Sequence, residues 1–191
     1  MKRSNRTKQD LAASLKLLVR TTSLPDISVQ DIVDSSGISR HTFYYHFIDK
    51  QDLVQWVFRS EVIEPMEKEA EGFLNKLVDI MQRMQKEPFF YSRALEVSGQ
   101  NSFSEYFFEA MLQISSSCLE EFAQSRDALL SKKTQDFFSR CMTYAVVGMI
   151  REWIKAGMRE APASVMAPLF GNIERLAMFA IEVGQSAAEE E

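Results

Sequence analysis

Apolar residues return along the first twenty positions with the spacing of one helix face. Leu11, Leu15, Leu18 and Val19 stand at i, i+4, i+7 and i+8, with Gln9, Lys16 and Arg20 between them. This predicts a helix over about 6–21, ended by Ser23-Leu24-Pro25-Asp26, because proline lacks an amide donor and restricts the residue before it. Ser28 then serves as an N-cap, with Asp31 in the first turn where a negative charge suits the helix dipole, and Ile32 and Val33 facing inward. Ser35-Ser36-Gly37 stops this second helix, and Ser39 caps a short third one running to about Phe47. Two helices of about two turns each, joined through a tight glycine-containing turn, form a helix-turn-helix pattern.

Asp49 is a further cap, followed by Leu53, Val54, Val57, Phe58, Val62 and Ile63, which predict a long helix past Glu61 with Pro65 as its kink or end. Further helices are predicted over about 67–86, 88–98, 104–126, 132–157 and 163–186. With Gly and Pro too scarce for many tight turns, the fold class is all-α: an N-terminal three-helix reading head over 1–50 and a helical ligand-binding and dimerisation domain over 51–191, about nine helices in all.

The net charge of −5 hides an asymmetry. Residues 1–50 hold eight basic and five acidic side chains, net +3, while the rest carries 14 basic and 22 acidic ones, net −8. A basic N-terminal module on an acidic body suits an anionic partner, and double-stranded DNA fits both the charge and the motif. Cys118 and Cys141 lie in apolar stretches, without metal-site spacing, and are expected to be reduced, packed thiols. No apolar run of about 20 residues could span a bilayer, and no signal-like h-region is present, so a cytoplasmic protein without membrane association is expected. No cofactor is implied. Both histidines lie in the third helix, five apart and therefore on different faces, which argues against a metal. Without a Gly-rich phosphate loop, nucleophile elbow or H-E-x-x-H, an enzyme is not expected.

The segment Ser39-Arg40-His41-Thr42-Phe43-Tyr44-Tyr45-His46-Phe47, with Asp49-Lys50 and Leu53, closely resembles the recognition helix and next helix start of TetR/AcrR transcription regulators. Ile27 to Val33 and Gly37-Ile38 fit the same pattern at the same spacing. Within the family, Tyr45-His46-Phe47, Asp49-Lys50-Gln51-Asp52-Leu53 and Trp56 most resemble the DhaS-like branch, activators of dihydroxyacetone kinase genes. The resemblance implies a homodimer on an inverted-repeat operator, controlled by a small-molecule effector or a protein co-regulator. Repression is the family's usual mode; the DhaS-like branch implies activation, and an adaptor working through a protein partner is a second possibility.

The residue chemistry suits that role. Arg40 can pair with guanine O6 and N7 from the start of a groove-bound helix, and His41 and Thr42 offer shorter polar contacts. Ser39 lies beside them, and Gln30, at the start of the preceding helix, is placed for a base or phosphate. Tyr44 and His46 are expected on phosphates, as is Lys50, whose charge would act together with free amides at the next helix start. Phe43 and Phe47 are expected in the core with Leu11, Ile32 and Ile38, while Tyr45 fits either side.

In the C-terminal body, Arg93, Tyr106 and Tyr144 are the polar candidates for an effector cavity otherwise lined by aromatics and methionines. The stripes containing Met149 and Trp153, and Phe170, Ile173 and Ala177, are the candidate dimerisation surface.

Overall fold

The computed structural model describes residues 2–69, 72–97, 99, 101–170 and 172–189, and within these the side chains of all but 2, 3, 170 and 185–189. The described residues form helices and connecting turns. They fall into two compact units, Met1–Glu69 with Arg83–Tyr106, and Ala70–Gln82 with Phe107–Glu191.

The first unit opens with α1 (Lys2–Leu18), α2 (Val29–Ser36) and α3 (Arg40–His46). Ser28 and Asp31 form a reciprocal capping box: the Asp31 amide donates to Ser28 Oγ at 3.2 Å, and the Ser28 amide to Asp31 Oδ2 at 2.7 Å. Gly37 ends α2 at φ 67°, a conformation that costs glycine little and bulkier residues more, and so turns the chain into α3. Leu11, Leu15, Ile32, Phe43 and Phe47 are buried, as their periodicity requires, and Ile38 is half-buried.

α4 (Lys50–Phe58) buries Leu53, Val54 and Val57 completely and packs on α1. The expected division at residue 50 therefore falls inside a continuous core, and α4 belongs with the reading head. The long helix expected here does form, with one modification. Arg59–Ile63 is a π-helical turn that leads without a break into α5 (Glu64–Glu69). Pro65 neither ends nor interrupts the rod. The wider turn immediately before it relieves the clash its ring would make with the carbonyl four residues back. α7 (Pro88–Glu96) completes the unit, with Phe58 set edge-on to Tyr91 and Phe103 at centroid distances of 6.1 and 5.3 Å. Lys16 of α1 ties these pieces together through Glu61 at 2.9 Å and Glu87 at 3.2 Å. Burial works against its charge, but the two carboxylates outweigh that effect and raise its pKa.

The second unit contains α6 (Phe73–Met84), most of α8 (Phe103–Gln124), α9 (Lys132–Lys155), α10 (Pro162–Phe170) and α11 (Ile173–Glu189). The helix expected over 163–186 is thus two helices. Asn172 donates to the Pro168 carbonyl at 2.9 Å at the break, which Gly171-Asn172 marks in the sequence. Leu119, Phe138, Ala177 and Ala180 form one buried cluster. Cys118 is half-buried, and burial pushes its thiol up to about 11. Cys141 is exposed, contrary to the expectation of a packed thiol.

Candidate nucleic-acid interface

α3 presents a sharp division between inward and outward residues. Phe43 is fully buried against Tyr44 and Phe47, at centroid distances of 5.4 and 5.8 Å. Its neighbours Arg40, His41 and Tyr45 are exposed, and Tyr45, left open by sequence, stands 79% exposed. The buried ring fixes the helix's rotation about its axis, and so determines which side chains face outward.

Ser39 acts first on the protein itself. Its Oγ accepts from the Thr42 amide at 3.1 Å and lies 2.8 Å from Thr42 Oγ1, so both hydroxyls help start the helix. Arg40 lies along Tyr44, its guanidinium carbon 5.6 Å from the ring centroid and one nitrogen donating to the hydroxyl at 3.4 Å. One edge of the guanidinium is thereby held by the protein and the rest of its donor fork stays available. Gln30 donates to Asp34 at 2.7 Å within its own helix, which holds its amide at the start of α2.

His46 is half-buried at the end of α3. Burial and the nearby Lys8 charge lower its pKa, so the ring is mostly neutral at pH 7. Lys8 itself stands over the Phe47 and Trp56 rings at 5.5 and 5.8 Å. Sequence reasoning passed over this arm residue, which braces the base of the reading helix through cation–π contacts.

Lys50 differs most from expectation. Its ammonium donates to the carbonyls of Leu24, Pro25 (3.1 Å) and Ile27, all in the loop between α1 and α2. Two amides around the start of α4 are also engaged: Asp52 N–H donates to Asp49 at 2.8 Å and Ile48 N–H to Asp52 at 3.0 Å. In this structure the Lys50 ammonium is turned into the protein.

The other candidate groups belong to both units. Arg93 lies on the first unit's surface, 3.7 Å from Glu96, and Tyr106 packs in the same unit with its ring 6.3 Å from Phe58. Tyr144 belongs to the second unit, 65% exposed, with its ring 5.0 Å from Phe108. The second unit has an apolar cavity of about 320 Å³, walled by Phe73, Leu119, Phe122, Met142 and Ala177, with Asn75, Cys118 and Glu174 as its polar groups. Ile173 lines it too.

Trp153 and Ala177 require correction as surface residues. Both are buried in their own unit, Trp153 donating from Nε1 to the Glu160 carbonyl at 2.8 Å and Ala177 packing in the cluster around Leu119. Met149 is half-buried, and the Phe170 side chain lies outside the described residues. The outward stripe of α9 is offset from the expected one, running through Phe137, Cys141, Tyr144 and Gly148. Phe179 and Val183 are exposed on α11.

A buried-core helix-turn-helix with an outward arginine at the start of its second helix, carried on a helical body, defines a DNA-binding transcription regulator rather than an enzyme. The comparisons narrow this class. Residues 21–57 match a model described as bacterial regulatory proteins of the tetR family, and residues 71–175 match a transcriptional regulator C-terminal region of the same family. The chain belongs to the TetR family. It is 23% identical over 188 residues to the dhaKLM operon transcriptional activator DhaS of Lactococcus lactis, covering 97% of this chain and 96% of that one. It is 31% identical over 71 residues to the regulator EthR of Mycolicibacterium smegmatis, covering 37% of this chain and 30% of that one. Among solved structures, the dihydroxyacetone kinase operon activator DhaS superposes with a TM-score of 0.61 at 22% identity, covering 93% of this chain and 97% of that one. NalD, the secondary repressor of the MexAB-OprM efflux pump in Pseudomonas aeruginosa, superposes with a TM-score of 0.63 at 15% identity, covering 87% and 96%. Among the described residues, no helix is long and apolar enough to cross a membrane.

Proposed function

We propose that two copies of this chain bind an inverted-repeat operator, that Arg40, His41 and Thr42 read base edges while Tyr44 and His46 hold phosphates, and that an effector controls the complex. The observation that carries the reading is the division of α3, with Phe43 fully buried and Arg40 and His41 exposed at its first turn. In a helix-turn-helix the N-terminal residues of the second helix reach the major groove.

Pairing is supported by the apolar surface on α9 and α11. Phe137 and Phe179 are 62% and 55% exposed, and with Leu129 and Val183 they line an open groove of about 960 Å³. Aromatic side chains left this exposed on two long helices suit burial against a second copy. The cavity beside Cys118 supports effector control, being mostly apolar with a few polar groups. A ligand that prefers the DNA-free form would release the operator, by reciprocal linkage.

Selection from a random duplex pool tests the reading. An enriched inverted repeat is expected, with half-sites about 34–36 Å apart or a multiple of that. Enrichment of a single asymmetric site, or of none, would overturn it. Repression is the primary reading of the regulatory sign. Activation is the second, favoured by the full-length likeness to the L. lactis activator, where a protein co-regulator in place of a small molecule would also fit. Transcription from the enriched promoter, with and without the protein, separates the two.

A further inference from the structure

We infer that Lys50 is a positioning residue of the reading head, its ammonium tying the loop ahead of α2 to the start of α4, and that it makes no phosphate contact. The inference rests on DNA binding by this helix-turn-helix.

An ammonium has three N–H donors, and here three backbone carbonyls receive them: Leu24, Pro25 and Ile27. These carbonyls belong to the connection after α1, and Leu24 and Ile27 are themselves buried. Without Lys50, partly buried acceptors would lose their donor. Ile27 immediately precedes the N-cap Ser28, and Ile32 follows four residues into α2. Both are buried, at the positions of a hydrophobic staple that sets the angle at which the chain enters a helix. Lys50 therefore holds the entry to α2 from the base of α4, and α2 in turn packs on α3.

The surroundings also disfavour a phosphate. Asp26, Asp31 and Asp49 all act on the Lys50 ammonium and would repel an incoming anion. The Asp52 and Ile48 amides, which could otherwise have joined in binding it, already donate to carboxylates. Lys50 neutralises a local excess of negative charge on the reading head.

Lys50→Met in the full-length protein tests this, since methionine keeps an apolar stem and loses the ammonium. Affinity is measured by fluorescence anisotropy across a potassium chloride series. The probes are the duplex selected by the wild type and a scrambled duplex of equal length. The selected duplex should be bound about tenfold or more weakly and the scrambled one nearly unchanged, with the dependence of log K on log salt unaltered. A phosphate contact predicts equal weakening on both duplexes and a slope shallower by about 0.9 per protomer, which would overturn the inference. A lower melting temperature with an unchanged ratio of the two affinities, measured where the variant is folded, would overturn it too.

Lys50→Arg decides the matter should the methionine variant not fold. A planar guanidinium cannot reproduce a point cation's three convergent bonds. The affinity ratio should therefore fall while the slope stays, whereas a phosphate contact would survive in both. Should the wild type enrich no duplex, the operator reading fails, and the slope on scrambled DNA still reports whether Lys50 touches phosphate.

Discussion

Arg40→Ala is the sharpest test of the proposed base readout. Arg40 is exposed at the first position of α3, and the contacts it makes in the free protein are those to the Tyr44 ring and hydroxyl. Its removal should change folding stability by no more than about 0.5 kcal/mol, the range for surface substitutions. A good bidentate pair to guanine is worth about 1–3 kcal/mol. Two protomers each lose one, so operator binding should weaken by about 2–6 kcal/mol, or roughly 30-fold to more than 10⁴-fold. Tyr44 favours the upper part of this range, because it already restrains the guanidinium and leaves less rotamer freedom to lose on binding. Anisotropy on the selected duplex at fixed salt measures the loss, and thermal melting checks that the fold is intact. The salt slope should not change, since base edges release no condensed counterions. An equal loss on scrambled DNA, with a slope shallower by about 0.9 per protomer, would refute base readout by Arg40 and make it a phosphate contact.

Ser28→Ala removes one half of the capping box and should cost about 1 kcal/mol, lowering the melting temperature by about 2–4 °C for a chain of this size; no shift by calorimetry would show that the cap contributes nothing. His46, its pKa lowered by burial and by Lys8, should take up a proton when a phosphate approaches. Operator affinity should then rise as pH falls from 7 through 6, and His46→Gln should flatten the profile; an identical profile in the variant would remove His46 from the contact. The Tyr91 hydroxyl is buried without a hydrogen-bond partner, so Tyr91→Phe should leave stability unchanged or raise it, and a loss above about 1 kcal/mol would contradict that. Burial, then Glu61 and Glu87, raise the Tyr91 pKa, so its contribution is fully present below about pH 10 and lost as pH rises further. The variant should therefore unfold less steeply in alkali.

What the sequence determined by itself was local. Ser28 with Asp31, Ser39 and Asp49 each cap the helix they precede, and Gly37 makes the turn, because a cap or turn is settled by atoms within three or four residues. The alternation of Arg40 with Phe43, and of Tyr44 with Phe47, likewise separated the exposed from the buried positions of α3, since the preceding helix supplies the core a few residues away. What only the tertiary structure decided were partners distant in sequence. Lys50 reaches carbonyls more than twenty residues earlier, and no pattern around it indicates this. Arg93 and Tyr106 fold into one compact unit and Tyr144 into the other, a division that no local pattern marks. The apolar stripes of α9 and α11 were legible as stripes, yet an apolar residue is equally satisfied by its own core or by a second chain. Only packing put Trp153 and Ala177 inside and left Phe137 and Phe179 facing out. Helical periodicity gives the number and angle of buried faces, and the neighbour that covers each one is set by contacts the linear sequence does not order.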